Sequence, residues 1–496
     1  MSGKANLALV VVLGLAPPEI ARPADSPTPV AVDSLRSRIR RSMDAEHVPS
    51  LAVAVARHGR IVWEEGFGLA DVERGIPATA RTRYSIASIS KPLTATGLLT
   101  LVEKGKVDLD RPANDYLGTP GITARAGDAS AATVRRVLCH TAGLATYARF
   151  YFADDTTAHA DLDRAIARYA VTVYPPGRVY DYSNLGYGLV QRIIERTSGR
   201  SYEDFMRTEV FLPLGMEATM IGTGAGLENA AVRYSKEGTA LPFYATDHRG
   251  ASGVYTSAHD LVHFAMFQLR DHPRGQKRIL TDRTIAAMQH VETPGDSTQG
   301  YGLGFDVGRE GARKFVMHNG RMPGVDATLR LYPAEDVAIV VLTNSENAAT
   351  SEVAGAIHDA VLGPNETSKE PPPEPFQAPP ALQGQWVGTV RTFDGTTIPL
   401  AVRVKPDDVH VRLGGPGAFT TVLNQPRFIA GIQVLTGVFK ESIPTTDTAG
   451  RPHFVLLTLW FDGERLRGHA SAILAGERVQ ECLPSYAELT RAPAAP

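Results

Sequence analysis

The sequence predicts an α/β protein: an antiparallel sheet flanked by helices, with a helical subdomain inserted, followed by a C-terminal all-β barrel-like domain. Three observations predict it. Strand-like apolar runs lie near both ends of residues 31–365, with mostly helices and loops between them. Glu370-Pro-Pro-Pro-Glu-Pro-Phe-Gln-Ala-Pro-Pro380 then interrupts the chain as a stiff, extended linker, taken as residues 366–380. Residues 381–492 follow with alternating strands and Gly turns, the pattern of a small barrel or sandwich.

Lys4 precedes the apolar run Ala5–Ala16, which has signal-peptide length and is too short to span a bilayer comfortably. Alanine- and proline-rich sequence continues to about Val30. Residues 1–30 are therefore expected to be a signal peptide or an uncleaved export segment, with periplasmic or secreted localisation. Pro17 spoils cleavage after Ala16, and the segment has no cysteine for lipid attachment. From Asp33 to Glu46, Leu35, Ile39 and Met43 repeat every four residues on one helix face. Leu51–Arg57 and Arg60–Glu64 meet at His58-Gly59 as a hairpin. Ile89 to about Lys104 reads as a helix, and another begins near Leu185 after the structure-breaking Pro175-Pro-Gly177. Strand patterns return near Phe315, at Thr328–Leu331 and at Val337–Leu342, before a helix from about Ala348 to Leu362. In the C-terminal part, Gly384-Gln-Trp-Val-Gly388 opens a strand, Leu400–Val404 alternates, and Val455–Phe461 is a further apolar run.

Three short polar motifs carry chemistry. Ser88-Ile-Ser-Lys91 falls at a helix start, where unpaired backbone N–H groups and the positive end of the helix dipole favour negative charge on the serine oxygen. Three residues is nearly one helical turn, so Lys91 projects from the same face as Ser88. An ammonium group held there and partly desolvated has a lowered pKa, and can take or relay the serine proton. Tyr182-Ser-Asn184 lies on a loop ahead of a helix. Tyr182 can serve as a general base if the Lys91 ammonium lowers its pKa. Asn184 offers a donor and an acceptor to a substrate amide or to the lysine. His318-Asn-Gly320 is expected to end the short strand Lys314–Met317.

Together with Val137-Leu-Cys-His-Thr-Ala-Gly-Leu144, Pro213-Leu-Gly-Met216, Gly253–Leu261 and Tyr301-Gly-Leu-Gly304, these motifs resemble the penicillin-recognising serine hydrolases. That group holds class C β-lactamases, DD-peptidases, esterases and D-aminopeptidases, and the similarity runs from about Val32 to Leu362. The resemblance implies a β-lactamase/transpeptidase-like fold and a Ser88 acyl-enzyme formed with Lys91 and Tyr182. It also implies substrate positioning by Asn184 and His318, with His318 balancing charge and Gly320 letting the substrate backbone approach. The backbone N–H groups of Ser88 and Arg321 become an oxyanion hole, each donor typically contributing ~3 kcal/mol. Ala142 replaces the family's usual serine, and His318 stands where β-lactamases carry lysine, while several DD-peptidase-like members carry His-x-Gly there. An uncharged imidazole binds a carboxylate poorly, which argues against efficient β-lactam hydrolysis. Gly-x-Trp-x-Gly resembles the opening of lipocalin-like domains appended to such hydrolases.

Composition sets outer bounds. A formal net charge of −2 with mixed signs implies no nucleic-acid partner. The two cysteines, Cys139 and Cys482, fall in different predicted domains and exclude a disulfide framework. His259-Asp-Leu-Val-His263 spaces two imidazoles one helical turn apart, but Asp replaces the glutamate of the zinc motif and no third ligand follows. Gly222–Gly226 lacks the lysine of a phosphate loop and reads as a flexible loop. No metal or organic cofactor is required. The partner expected is a small-molecule or peptide substrate, bearing an amide or ester bond and selected by loops such as Thr146–Thr157. No membrane span is expected beyond a possible uncleaved signal. The competing reading is a non-catalytic binding or regulatory protein that keeps the fold.

Overall fold

The computed structural model describes residues 29–152, 160–222, 226–227, 229–271, 273–346, 349–364, 375–448, 450–475 and 480–493. The apolar segment Ala5–Ala16, residues 366–374 of the linker, the centre of the Gly222–Gly226 loop and the end of the Thr146–Thr157 loop lie outside these residues.

Helix α1 (Pro29–Ala45) precedes strands β1 (Ser50–Arg57), β2 (Arg60–Asp71) and β3 (Ile76–Pro77). Helices α2 (Ser90–Glu103), α3 (Asn184–Ser198) and α4 (Ala258–Leu269) belong to the long middle region. Strands β4 (Gly300–Tyr301), β5 (Asp306–Glu310), β6 (Arg313–Met322), β7 (Val325–Tyr332) and β8 (Val337–Thr343) then lead to α5 (Ala349–Leu362). The sheet order is β4-β5-β6-β7-β8-β1-β2-β3, antiparallel throughout, so β1 pairs with β8 and the two ends of this region close one sheet.

The alternation Leu51-Ala-Val-Ala-Val-Ala56 explains the two layers. Leu51, Val53 and Val55 pack with Leu35, Ile39, Met43, Val353 and Ile357 under α1 and α5. The small residues Ala52, Ala54 and Ala56 face the opposite core, which holds Leu93, Leu98, Leu261 and Val262 of α2 and α4. Helix α2 is buried from Ser90 to Leu101, as expected for a helix enclosed on all sides.

Three local expectations differ from the structure. Strand β2 extends seven residues past Glu64 to Asp71, because its ladder with β1 continues to Gly68↔Ser50 and β3 then pairs with its end. The expected helix from Ile89 begins instead with a 3₁₀ turn, Ala87–Ile89, so Ser88 lies just ahead of α2. His318-Asn-Gly320 does not end its strand. The β6–β7 ladder carries the polar residues on to Met322↔Val325, because backbone pairing does not depend on side-chain polarity.

In the C-terminal part, β9 (Gly384–Arg391), β10 (Thr397–Val404), β11 (Val409–Leu413), β12 (Thr421–Val422), β13 (Asn424–Ile429), β14 (Val434–Phe439), β15 (Phe454–Phe461), β16 (Arg465–Ala475) and β17 (Gln480–Arg491) form one nearly closed antiparallel sheet, ordered β12-β11-β10-β9-β17-β16-β15-β14-β13. Its interior is filled by side chains such as Trp386, Val402, Leu435, Leu457 and Leu466. Trp386 is fully buried and donates its indole N–H to Leu382 O at 2.8 Å.

This barrel packs against the larger region. Ala378 and Leu382 are buried in its core, and Ala472, Leu474 and Leu483 of β16 and β17 join the core of the larger region. Ala148 and Cys482 exchange two backbone hydrogen bonds of 3.1 and 2.8 Å. Asp447 accepts from Tyr169 at 2.6 Å and pairs with Arg149 at 3.1 Å. Both cysteines are buried and free.

Candidate active site

Ser88 is the one residue between Tyr84 and Leu101 that is not buried. Ala87 before it adopts φ +42°, a strained left-handed conformation for a residue with a Cβ. Ser90 supports this turn by donating its hydroxyl to Ala87 O at 2.7 Å and accepting Val254 N–H at 3.1 Å. The local geometry thus pushes a serine hydroxyl out of an otherwise closed core.

Lys91 is fully buried, with Nζ 3.0 Å from Ser88 Oγ, 2.7 Å from Asn184 Oδ1 and 3.3 Å from Ala251 O. Nζ also lies 4.6 Å from the centre of the Tyr182 ring. Burial drives its pKa well below the usual lysine value, and the nearby Asp306 opposes that shift. A neutral amine has two N–H donors, which suit the two carbonyl oxygens, and one lone pair left for the serine hydroxyl. The arrangement can therefore accept the Ser88 proton.

Tyr182 hydrogen-bonds to Ser88, yet burial raises its pKa, the reverse of the expected lowering. The correction has a physical cause: a neutral Lys91 supplies no cation to stabilise a phenolate, and desolvation penalises it. His140 braces this tyrosine, its ring centred 4.4 Å away. The loop is further held by Ser183 N–H donating to His140 Nδ1 at 3.2 Å and Asn184 N–H donating to Tyr147 O at 3.2 Å.

His318 is buried on β6, with Nδ1 2.7 Å from Asn319 O and Nε2 2.9 Å from Tyr301 Oη. The consistent tautomer donates from Nδ1 and accepts the tyrosine hydroxyl at Nε2. Burial pushes its pKa down to about 3. His318 is thus uncharged at neutral pH, and the charge-balancing role expected of it is corrected. Gly320 lies against the segment leading to Ser88: a Cβ there would fall 2.1 Å from Ile86 O. Only glycine allows that approach. The Arg321 side chain is turned outward, 3.7 Å from Asp326.

Three residues of this neighbourhood carried no role in the sequence reading: His140, Tyr301 and Asp306. The first two sit in segments whose similarity was visible, His-Thr-Ala-Gly and Tyr-Gly-Leu-Gly, but nothing local shows that their rings stack on Tyr182 or bond His318. Burial pushes the Asp306 carboxyl up to about 6. The histidine pair is otherwise engaged. His259 Nδ1 lies 2.7 Å from Glu64 Oε2, and His263 Nδ1 2.9 Å from His259 O.

The family described as Beta-lactamase matches residues 35–363. Penicillin-binding protein 4* of Bacillus subtilis (strain 168) is 26% identical over 390 residues, covering 72% of this chain and 82% of that protein. The solved structure of SurE aligns with a TM-score of 0.63 at 22% identity, covering 92% of this chain and 99% of that one, so the likeness includes the barrel. A class C β-lactamase from Rhodobacter sphaeroides aligns with a TM-score of 0.55 at 22% identity, over 66% of this chain and 99% of its own. The β-lactamase/transpeptidase-like fold expected from the motifs is therefore present.

Proposed function

The chain belongs to the Beta-lactamase family, and we propose that within it this protein is a serine hydrolase acting through a Ser88 acyl-enzyme on amide or ester bonds. One observation carries the reading: a buried, charge-suppressed Lys91 amine 3.0 Å from the hydroxyl of the only accessible residue in its segment. In this reading Lys91 takes the Ser88 proton as Oγ bonds to the carbonyl carbon. The backbone N–H groups of Ser88 and Arg321 hold the oxyanion. Collapse breaks the bond to the leaving group, which receives its proton through Tyr182 or Lys91, and water reverses the sequence to free the acid. Asn184 and His318 orient the substrate, and Gly320 admits its backbone.

D-amino-acid peptides and short acyl esters are the substrate classes, with β-lactams as a side reaction. A neutral His318 offers no cation to a carboxylate, which favours uncharged acyl donors. The division into residues 31–365, 366–380 and 381–492, and export directed by residues 1–30, belong to the same proposal. Among the described residues, no helix is long and apolar enough to cross a membrane.

Intact-protein mass after exposure to a fluorophosphonate tests the reading. The wild type is expected to gain one phosphonyl group with loss of fluoride, and Ser88→Ala to gain none. An unmodified wild type, or equal labelling of the variant, overturns the assignment.

A pH prediction follows from Asp306, whose negative charge raises the Lys91 pKa. Removing it in Asp306→Asn makes the ammonium easier to deprotonate, so the free base persists to lower pH. The acid limb of the kcat/KM profile for p-nitrophenyl acetate is expected to move to lower pH. An unmoved limb, or a shift upward, would show that another group controls it.

A further inference from the structure

We propose that the C-terminal barrel acts on the active site through His469, a positioning residue that holds the Tyr182-Ser-Asn184 loop against Ser88 and Lys91. The inference rests on the hydrolase reading above and names a dependence of that site on the barrel.

The loop needs bracing. Residues 178–183 have no regular secondary structure, yet Tyr182 must reach Ser88 and Asn184 must reach Lys91. Asp181, immediately before Tyr182, is buried and donates its own N–H to His140 O at 3.0 Å. Its carboxylate turns the other way. Oδ1 accepts the Thr146 hydroxyl, and Oδ2 lies 3.0 Å from Nε2 of His469 on β16. His469 is fully buried, with Nδ1 2.6 Å from Ser471 Oγ. Nε2–H donating to Asp181 and Nδ1 accepting from Ser471 satisfies every polar atom of that contact.

A second connection runs beside the first. Cys482 of β17 is bonded through both backbone groups to Ala148, and the neighbouring Tyr147 O accepts Asn184 N–H at 3.2 Å. One barrel strand therefore bonds the residue before Tyr182, and a second reaches Asn184 indirectly through the Tyr147-Ala148 segment. The β16–β17 surface is anchored beside these contacts, entering the main core through Ala472, Leu474 and Leu483.

The test uses the full-length chain with p-nitrophenyl acetate, comparing wild type, His469→Ala and His469→Gln, with hydrogen exchange read in residues 178–186. Glutamine can still present an N–H to Asp181. His469→Ala is expected to lower kcat at least tenfold with KM changed less than twofold. Exchange across the loop should rise, and His469→Gln should recover most of both. Wild-type-like kcat and exchange in His469→Ala would overturn the proposal. So would equal losses in both variants accompanied by a lowered Tm, since that marks a packing role alone. If the wild type itself lacks Ser88-dependent turnover, the hydrolase reading fails instead, and loop exchange still decides whether His469 positions the motif.

Discussion

Ser88→Ala is expected to lower p-nitrophenyl acetate turnover by at least ~10⁴-fold, in line with nucleophile removal in serine hydrolases, while the Tm shifts by only about 2–4 °C. The asymmetry comes from where the side chain sits. Ser88 is partly exposed, and its hydroxyl lies 3.0 Å from Lys91 Nζ and hydrogen-bonds to Tyr182. Losing such a contact typically costs about 0.5–1.5 kcal/mol, a small part of a domain's stability. Stopped kinetics beside a thermal melt checks both halves. Turnover within tenfold of wild type would remove Ser88 from the mechanism.

Lys91→Met carries the second large effect. Loss of the base is expected to reduce kcat/KM by about 10²–10⁴-fold. The same substitution has a pH-dependent signature in stability. Lys91 has a folded-state pKa well below its unfolded value near 10.5, because burial penalises the ammonium. Between those two values the unfolded chain binds more protons than the folded one, so wild-type stability rises with pH. Methionine, similar in length and uncharged, removes that rise while leaving Asn184 Oδ1 and Ala251 O without their donor. The Tm of Lys91→Met relative to wild type is therefore expected to fall as pH increases from neutral toward about 10. A difference independent of pH would show that Lys91 is not desolvated.

These two predictions draw differently on sequence and structure. Ser88 and Lys91 could be paired from spacing alone, because three residues at a helix start place both side chains on one face whatever packs around them. The loop position of Tyr182 was equally local, marked by Pro175-Pro-Gly177 before it and an apolar helix after it. His318 was harder. Its polar neighbours suggested a strand end, whereas the ladder to β7 continues beneath them. His140, Tyr301 and Asp306 were not legible as parts of the site, since each reaches it from a different segment.

The barrel shows the same division. Its strands and the core tryptophan followed from alternation and glycine placement, and the proline-rich stretch read as a stiff, extended linker, but nothing along the chain chose where the barrel meets the larger region. Only the folded chain shows Ala472, Leu474 and Leu483 entering the larger core and His469 meeting Asp181.

By itself, the sequence determined the order of elements, the closing of a sheet by distant strands, and which polar motifs could meet in a cleft. Those depend on side-chain periodicity and short-range geometry, which are written along the chain. The tertiary structure decided the protonation states. Lys91 is driven toward the free base, Tyr182 is kept as a phenol and His318 is left neutral. Each shift is dominated by desolvation, and desolvation depends on how completely remote segments exclude water from a group.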